Sequence, residues 1–149
     1  IEDSVIVPVA KKVCKNSTII CTASGSKSHL GKAAYIDDDY GYAFGGFMGQ
    51  LTPSSSIHGR YLFHALTTPD YKNFIQNLSD GANINNLKFD DLKQFTIPAP
   101  PLPEQHRIVE KLDAAKAQSQ TLQSLAQRKL AALDALKQSL LHQAFSGAL

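Results

Sequence analysis

The chain has 149 residues, 43% hydrophobic and 19% charged, enough to bury one core and too apolar for an intrinsically disordered protein. No apolar run approaches the roughly 18 residues of a membrane span and no basic-then-apolar start marks a secretory signal, so no membrane role is expected and a cytoplasmic location is the default. A net charge of +2 excludes phosphate affinity spread over the whole surface and confines any such affinity to local concentrations of lysine and arginine.

In chain order, residues 5–10, 18–23 and 32–36 are short, β-branched and apolar, and the turn-forming runs Lys15-Asn16-Ser17 and Ser24-Gly25-Ser26 flank the second of them. They predict three strands. Residues 1–35 carry a local excess of +3, with Lys11, Lys12, Lys15, Lys27 and Lys32 against Glu2 and Asp3. Cys14 and Cys21 match neither a CxxC metal pair nor a dense disulfide framework, which fits a reducing compartment. Asp37, Asp38, Asp39, Tyr40 and Gly41 predict a turn, after which residues 42–51 resume an apolar pattern broken by Gly45, Gly46 and Gly49, an irregular continuation of the sheet. Residues 36–95 reverse the charge to −3, with four basic and seven acidic side chains.

Tyr61, Leu62, Ala65 and Leu66 recur at helical spacing, as do Phe74, Ile75 and Leu78 after Pro69, which suits a first helical turn. Residues 79–86 are loop chemistry, and residues 89–95 predict one more helical turn. Pro98, Pro100, Pro101 and Pro103 make residues 97–102 a stiff connector. From Glu104 neither proline nor glycine recurs before Gly147, a C-terminal cap; about 42 residues of strong helix formers make a rod of roughly 60 Å.

Along that helix Ile108, Leu112, Ala115, Ser119, Leu122, Ala126, Lys129, Leu133, Leu136 and Leu140 alternate spacings of four and three, the heptad rhythm of a coiled coil. Ser119 and Lys129 interrupt the seam, and Leu125, Leu130, Leu141 and Ala144 widen it. A head of fewer than 100 residues cannot cover so broad an apolar face, so partner helices are implied, with Ile108, Leu112, Leu122, Leu133, Leu136 and Leu140 as the docking residues. The expected fold class is α+β: a mixed, mainly β head over residues 1–98 with short helices, then a proline-rich connector and one long coiled-coil-forming helix over residues 99–149.

Residues 25–32 superficially resemble a nucleotide-binding phosphate loop. The match fails because five residues, not four, separate Gly25 from Gly31, and Ala33 stands where a metal-binding hydroxyl belongs. Ser24, Ser26, Lys27, Ser28, His29 and Lys32 instead combine hydroxyls, ammonium groups and an imidazole suited to DNA phosphates and base edges, unless the segment is merely a solvated hairpin. Arg60 is a further candidate phosphate contact, although isolated surface cations more often only solubilise. The five histidines have no second ligand at i+3 or i+4, and the aspartate run lacks the alternating acceptors of a calcium loop, so no metal is expected. Ser24-Gly25 and Ser146-Gly147 lack the context of a hydrolase nucleophile, and no catalytic residue is expected.

Asn86-Leu87 with Asp91-Leu92, the run Ile97-Pro98-Ala99-Pro100-Pro101-Leu102-Pro103-Glu104-Gln105, Arg107-Ile108-Val109 and the ending Phe145-Ser146-Gly147-Ala148-Leu149 together resemble the specificity subunit of type I restriction-modification systems. Thr18-Ile19-Ile20-Cys21 and Leu30-Gly31-Lys32-Ala33-Ala34-Tyr35 resemble, more weakly, the middle of that family's target-recognition domains.

The resemblance implies a non-catalytic subunit that reads one half of a bipartite site in double-stranded DNA. It also implies that the helix holds methyltransferase subunits and, through them, a restriction motor subunit. No cofactor is expected on this chain, S-adenosylmethionine belonging to the methyltransferase partner. A rod of about 60 Å can space two reading modules roughly two DNA turns apart.

Complete members have two recognition domains and two conserved helices. The single set here, beginning inside a strand-like stretch at Ile1, is expected to lack an N-terminal portion. The helix would then pair with a second conserved helix of the same subunit or of a homodimer mate, two alternatives that the sequence leaves open. A coiled-coil oligomerising module that binds protein and no DNA is a further alternative, as is the specificity module of a fused restriction enzyme.

Overall fold

The computed structural model describes residues 11–80 and 86–147. The expected strand over residues 5–10 lies outside them. Three strands, β1 (Thr18–Cys21), β2 (Ala33–Tyr35) and β3 (Met48–Leu51), form an antiparallel sheet in the order β2-β1-β3. Thr18, Ile19 and Ile20 are all buried, as a continuous apolar run on a central strand should be. Ile20 pairs with Ala33 on one side and Gly49 on the other.

The strand expected over residues 18–23 stops at Cys21 because the neighbouring chain turns there. Thr22 and Ala23 both donate their amides to the carbonyl of Phe47 (2.9 and 3.2 Å), and Met48 donates back to Gly45 (3.1 Å). The same turn limits the expected sheet of residues 42–51 to β3, with Ala43 bridging Lys12 before it.

Helices α1 (Gly59–Ala65), α2 (Pro69–Asp80) and α3 (Phe89–Leu92) follow near the apolar spacings that predicted them, although α2 continues through residues 79 and 80, which were expected to open a loop whose residues 81–85 lie outside the described ones. The core gathers Ile20 and Leu30 from the sheet side with Leu66, Tyr71, Ile75, Leu87 and Leu92. The start of α1 presses on the turn before β1. A Cβ on Gly59 would stand 2.2 Å from the carbonyl oxygen of Asn16, itself at φ 63, so only glycine fits. The fold is α+β, as expected.

The long helix α4 (Leu102–Ser146) starts two residues before Glu104. Pro103 sits in its first turn, where a missing amide costs nothing, and the Pro101 carbonyl accepts from Glu104 (2.9 Å) and Gln105 (3.1 Å). It stops at Gly147, at φ 72, where the cap was expected.

Gln105 has no solvent exposure, and its amide is saturated. Nε2 donates to the carbonyls of Ser56 (2.9 Å) and Pro100 (2.7 Å), while Oε1 accepts from the amide of His58 (2.8 Å). Tyr61 adds a hydroxyl bond to the carbonyl of Pro98 (3.0 Å), so α1 holds the connector at a second point.

The chain divides into two compact units at Val109 and Glu110. Val109 is buried in the first. In residues 110–147 every side chain is exposed except the half-buried Asp113.

Gln105→Leu keeps the volume but strands one amide and two carbonyls, each worth about 1–3 kcal/mol when buried without a partner. The expected loss is about 3 kcal/mol in urea unfolding followed by the tyrosine near-ultraviolet signal, since the chain has no tryptophan.

Candidate nucleic-acid interface

The loop between β1 and β2 carries most of the candidate residues and is closed tightly at its base. Cys21 donates its amide to the Lys32 carbonyl and Gly31 donates to Cys21, both at 2.9 Å. Gly31 has φ 74, and a Cβ there would come within 2.8 Å of the Ile75 side chain, so α2 packs directly on the backbone. Leu30 fills the core, and the Tyr71 hydroxyl donates to the Gly31 carbonyl (3.0 Å) while its ring meets Phe95 edge-on at 5.2 Å. Burial pushes the Tyr71 phenol above the usual tyrosine range.

Above this base, residues 27–29 form a single 3-10 turn, with His29 bonded to the Ser26 carbonyl and Leu30 to that of Lys27. Ser26, Lys27, Ser28, His29 and Lys32 are exposed together. The hydroxyls of Ser26 and Ser28 lie 2.9 Å apart and share a hydrogen bond. Ser24 is half-buried, and its hydroxyl accepts the amide of Ser26 (3.2 Å), so it shapes the loop while its neighbours face outward.

Arg60 does not join this cluster. Its guanidinium lies 5.2 Å from the ring centre of Tyr35, which pairs with Thr18 at the start of β1, whereas the loop leaves from Cys21 at its end. Three steps of about 3.3 Å from Thr18 to Cys21 put the two ends roughly 10 Å apart.

The aspartate run shares the Arg60 end. Asp37 accepts from the Tyr40 hydroxyl (2.7 Å), Asp38 from Lys15 (3.1 Å) and from the Asp39 amide (2.9 Å). These bonds hold both carboxyls below their ordinary range, the Tyr40 hydroxyl acting first on Asp37 and Lys15 on Asp38. The acids serve the turn's own geometry.

Two aromatic side chains that the sequence left inside an irregular sheet, Tyr42 and Phe47, are in fact exposed, as is Tyr40 of the expected turn. Tyr40 and Tyr42 stack at 5.8 Å beside the aspartates, and Phe47 stands 73% exposed on the turn before β3. The glycines at 41, 45 and 46 were the available signal, since they mark chain reversals and not covered strand.

On α4, Leu112, Leu122, Leu133, Leu136 and Leu140 are between 43% and 66% exposed. At 100° per residue the last four fall within about 60° of arc. Leu133, Leu136, Leu140, Leu141 and Ala144 line one shallow apolar groove. Ile108 differs: it is half-buried and belongs to the first unit. Among the described residues no three His, Cys, Asp or Glu side chains gather as metal ligands, and no helix is long and apolar enough to cross a membrane.

The chain belongs to the type I restriction modification DNA specificity domain family, whose pattern matches residues 4–129. It is 36% identical over 144 residues to the type I restriction enzyme StySPI specificity subunit of Salmonella potsdam and 35% identical over 144 residues to the EcoKI specificity subunit of Escherichia coli K12. Both alignments cover 97% of this chain and 31% of the relative, so the chain spans about a third of their length. The EcoDI specificity subunit of Escherichia coli is 31% identical over 64% of the chain and 22% of its own length.

The Tyr71 phenol is held protonated, so its contribution is present at neutral pH and is lost as pH rises past the ordinary tyrosine range. Phenolate absorbance should show Tyr71 resisting ionisation until the fold opens, with Tyr40, whose hydroxyl donates to Asp37, also ionising above the ordinary tyrosine range. Tyr71→Phe should abolish that phase, lower stability by about 1 kcal/mol, and speed amide exchange at Leu30 and Gly31.

Proposed function

We propose that this chain is a DNA-reading module of a type I restriction-modification specificity subunit, recognising one half of a bipartite site in double-stranded DNA. The observation that carries the reading is the family match over residues 4–129, which takes in the head and α4 as far as residue 129. The loop after β1 supplies the chemistry. Its rigid base and its exposed lysines, serines and imidazole suit contact with phosphates and base edges, the former giving affinity and the latter discrimination. Arg60, at the other end of the sheet, serves as a separate phosphate contact or as packing on Tyr35.

The exposed leucines of α4 are the docking face for methyltransferase subunits, and for a second conserved helix from the same subunit or from a homodimer mate as a coiled coil. The chain contributes specificity and not catalysis, with S-adenosylmethionine bound by the methyltransferase partner and DNA translocation left to the motor subunit. Its place of action is the cytoplasm, where the DNA is.

Duplex titration over a range of salt tests the reading. Lys27→Ala with Lys32→Ala should weaken binding and reduce the slope of log affinity against log salt by about 2, the worth of two phosphate contacts. An unchanged slope removes the loop from the interface, and absence of duplex binding even with methyltransferase subunits present removes the DNA reading altogether. On the helix, Leu133→Glu with Leu136→Glu should abolish self-association or methyltransferase docking by light scattering and leave the head's melting unchanged. Retained association would rule out that face.

A further inference from the structure

The turn that ends the β1 ladder holds a side chain with no role in the core. Residues 45–48 close it through the Met48 amide and the Gly45 carbonyl (3.1 Å), and a methyl group placed on Gly45 or Gly46 would meet no atom within 4 Å, so the turn stands clear of the head. Phe47 sits at its tip, 73% exposed. The ring adds no burial to the fold, and its place on a projecting turn leaves it free to meet a surface outside the head.

The surroundings say what that something is. The Phe47 carbonyl accepts the amides of Thr22 and Ala23, which lead directly into the Ser24-to-Lys32 loop with Lys27 and Lys32. The approach to the turn, residues 43 and 44, pairs with Lys12 and Lys11, and the Lys11 ammonium lies 5.1 Å over the Phe44 ring. Four lysines therefore lie on the segments hydrogen-bonded to the two arms of the turn, Lys27 and Lys32 in the loop entered through Thr22 and Ala23 and Lys11 and Lys12 on the segment paired with residues 43 and 44, while the aspartate run follows Tyr35, which pairs with Thr18 at the other end of β1. An apolar ring with cations on the neighbouring segments complements a polyanion that has apolar groups inside its grooves, as duplex DNA does.

Resting on the DNA-reading proposal, we infer that Phe47 is a specificity-determining residue that enters the major groove and packs on a thymine methyl group. A phenyl ring offers neither donor nor acceptor, and the thymine C5-methyl is the apolar group on the major-groove edge of the base pairs. The lysines of the neighbouring segments hold the backbones of the groove. They give affinity without discrimination, and Phe47 gives discrimination without a salt dependence.

The 149-residue chain, with methyltransferase subunits added if it needs them, is first used to enrich preferred duplexes from a randomised pool. Binding is then measured with each thymine of the enriched sequence replaced in turn by uracil, which deletes the methyl group alone. The wild-type protein should lose about three- to fourfold at one or two thymines, the worth of one buried methyl. Phe47→Ala should bind the enriched duplex about tenfold more weakly, lose its sensitivity to uracil at those positions, and keep the wild-type salt slope and melting temperature. Phe47→Leu should retain part of the thymine dependence.

Equal binding by Phe47→Ala and wild type overturns the assignment, as does a weakened variant that remains as sensitive to uracil as the wild type. Intact duplex binding with impaired methyltransferase association would reassign Phe47 to a protein contact. Failure of the wild-type chain to bind any duplex in a salt-dependent way overturns the DNA-reading proposal itself and is told apart by that control.

Discussion

The Gln105 amide, wholly out of solvent, bonds to three backbone groups on two segments: Ser56 and His58 ahead of α1, and Pro100 in the connector. The connector makes this necessary. Prolines carry no amide hydrogen, so a run of them cannot join a ladder, and its carbonyls must be satisfied from elsewhere. Here each carbonyl finds a different donor: the Tyr61 hydroxyl for Pro98, the Gln105 side chain for Pro100 and the first amides of α4 for Pro101. Glutamine is the residue for this place because it brings two donors and an acceptor with no charge to desolvate. A glutamate would bury an anion against two carbonyl oxygens.

The same economy of polar groups organises the head. β1 is only four residues long, yet its two ends have opposite character. The turn after β2 holds the aspartates, whose charges are answered by Lys15 from the turn before β1 and by the Tyr40 hydroxyl. The loop after it holds lysines and hydroxyls above a base pinned by Leu30, Gly31 and Tyr71. A whole-chain charge of +2 averages over this segregation, and so conceals a head whose loop end is basic. A rigid base under an exposed tip also suits recognition, since little ordering entropy remains to be lost when the tip meets its target.

Beyond Val109 the physics differs. Residues 110–147 bury almost nothing, although leucine recurs throughout. Helix propensity and capping suffice to form such a helix, but an apolar stripe of this extent in water is unfinished until partners cover it. That a third of a relative's length should expose such a stripe agrees with the proposed place of the chain in a larger assembly.

Much of this was legible in the sequence because it is local. β1 and β2, the four helices, the proline connector and the Gly147 cap follow from spacing and backbone preference within a few residues, while β3 was legible only as an irregular continuation of the sheet. The exposed members of the β1–β2 loop could be named from composition for the same reason. Tertiary structure alone decided that Arg60 lies at the far end of the sheet from that loop, that Ser24 shapes the loop from within, that Ile108 belongs to the head, and that Phe47 faces solvent. It alone gave Gln105 its role. Those outcomes rest on pairings such as Gln105 with His58 and Tyr71 with Gly31, 47 and 40 residues apart, and on the register that places Phe47 beside Thr22. A local pattern carries no information about which distant backbone group a side chain will meet, because that is fixed only when the whole core closes.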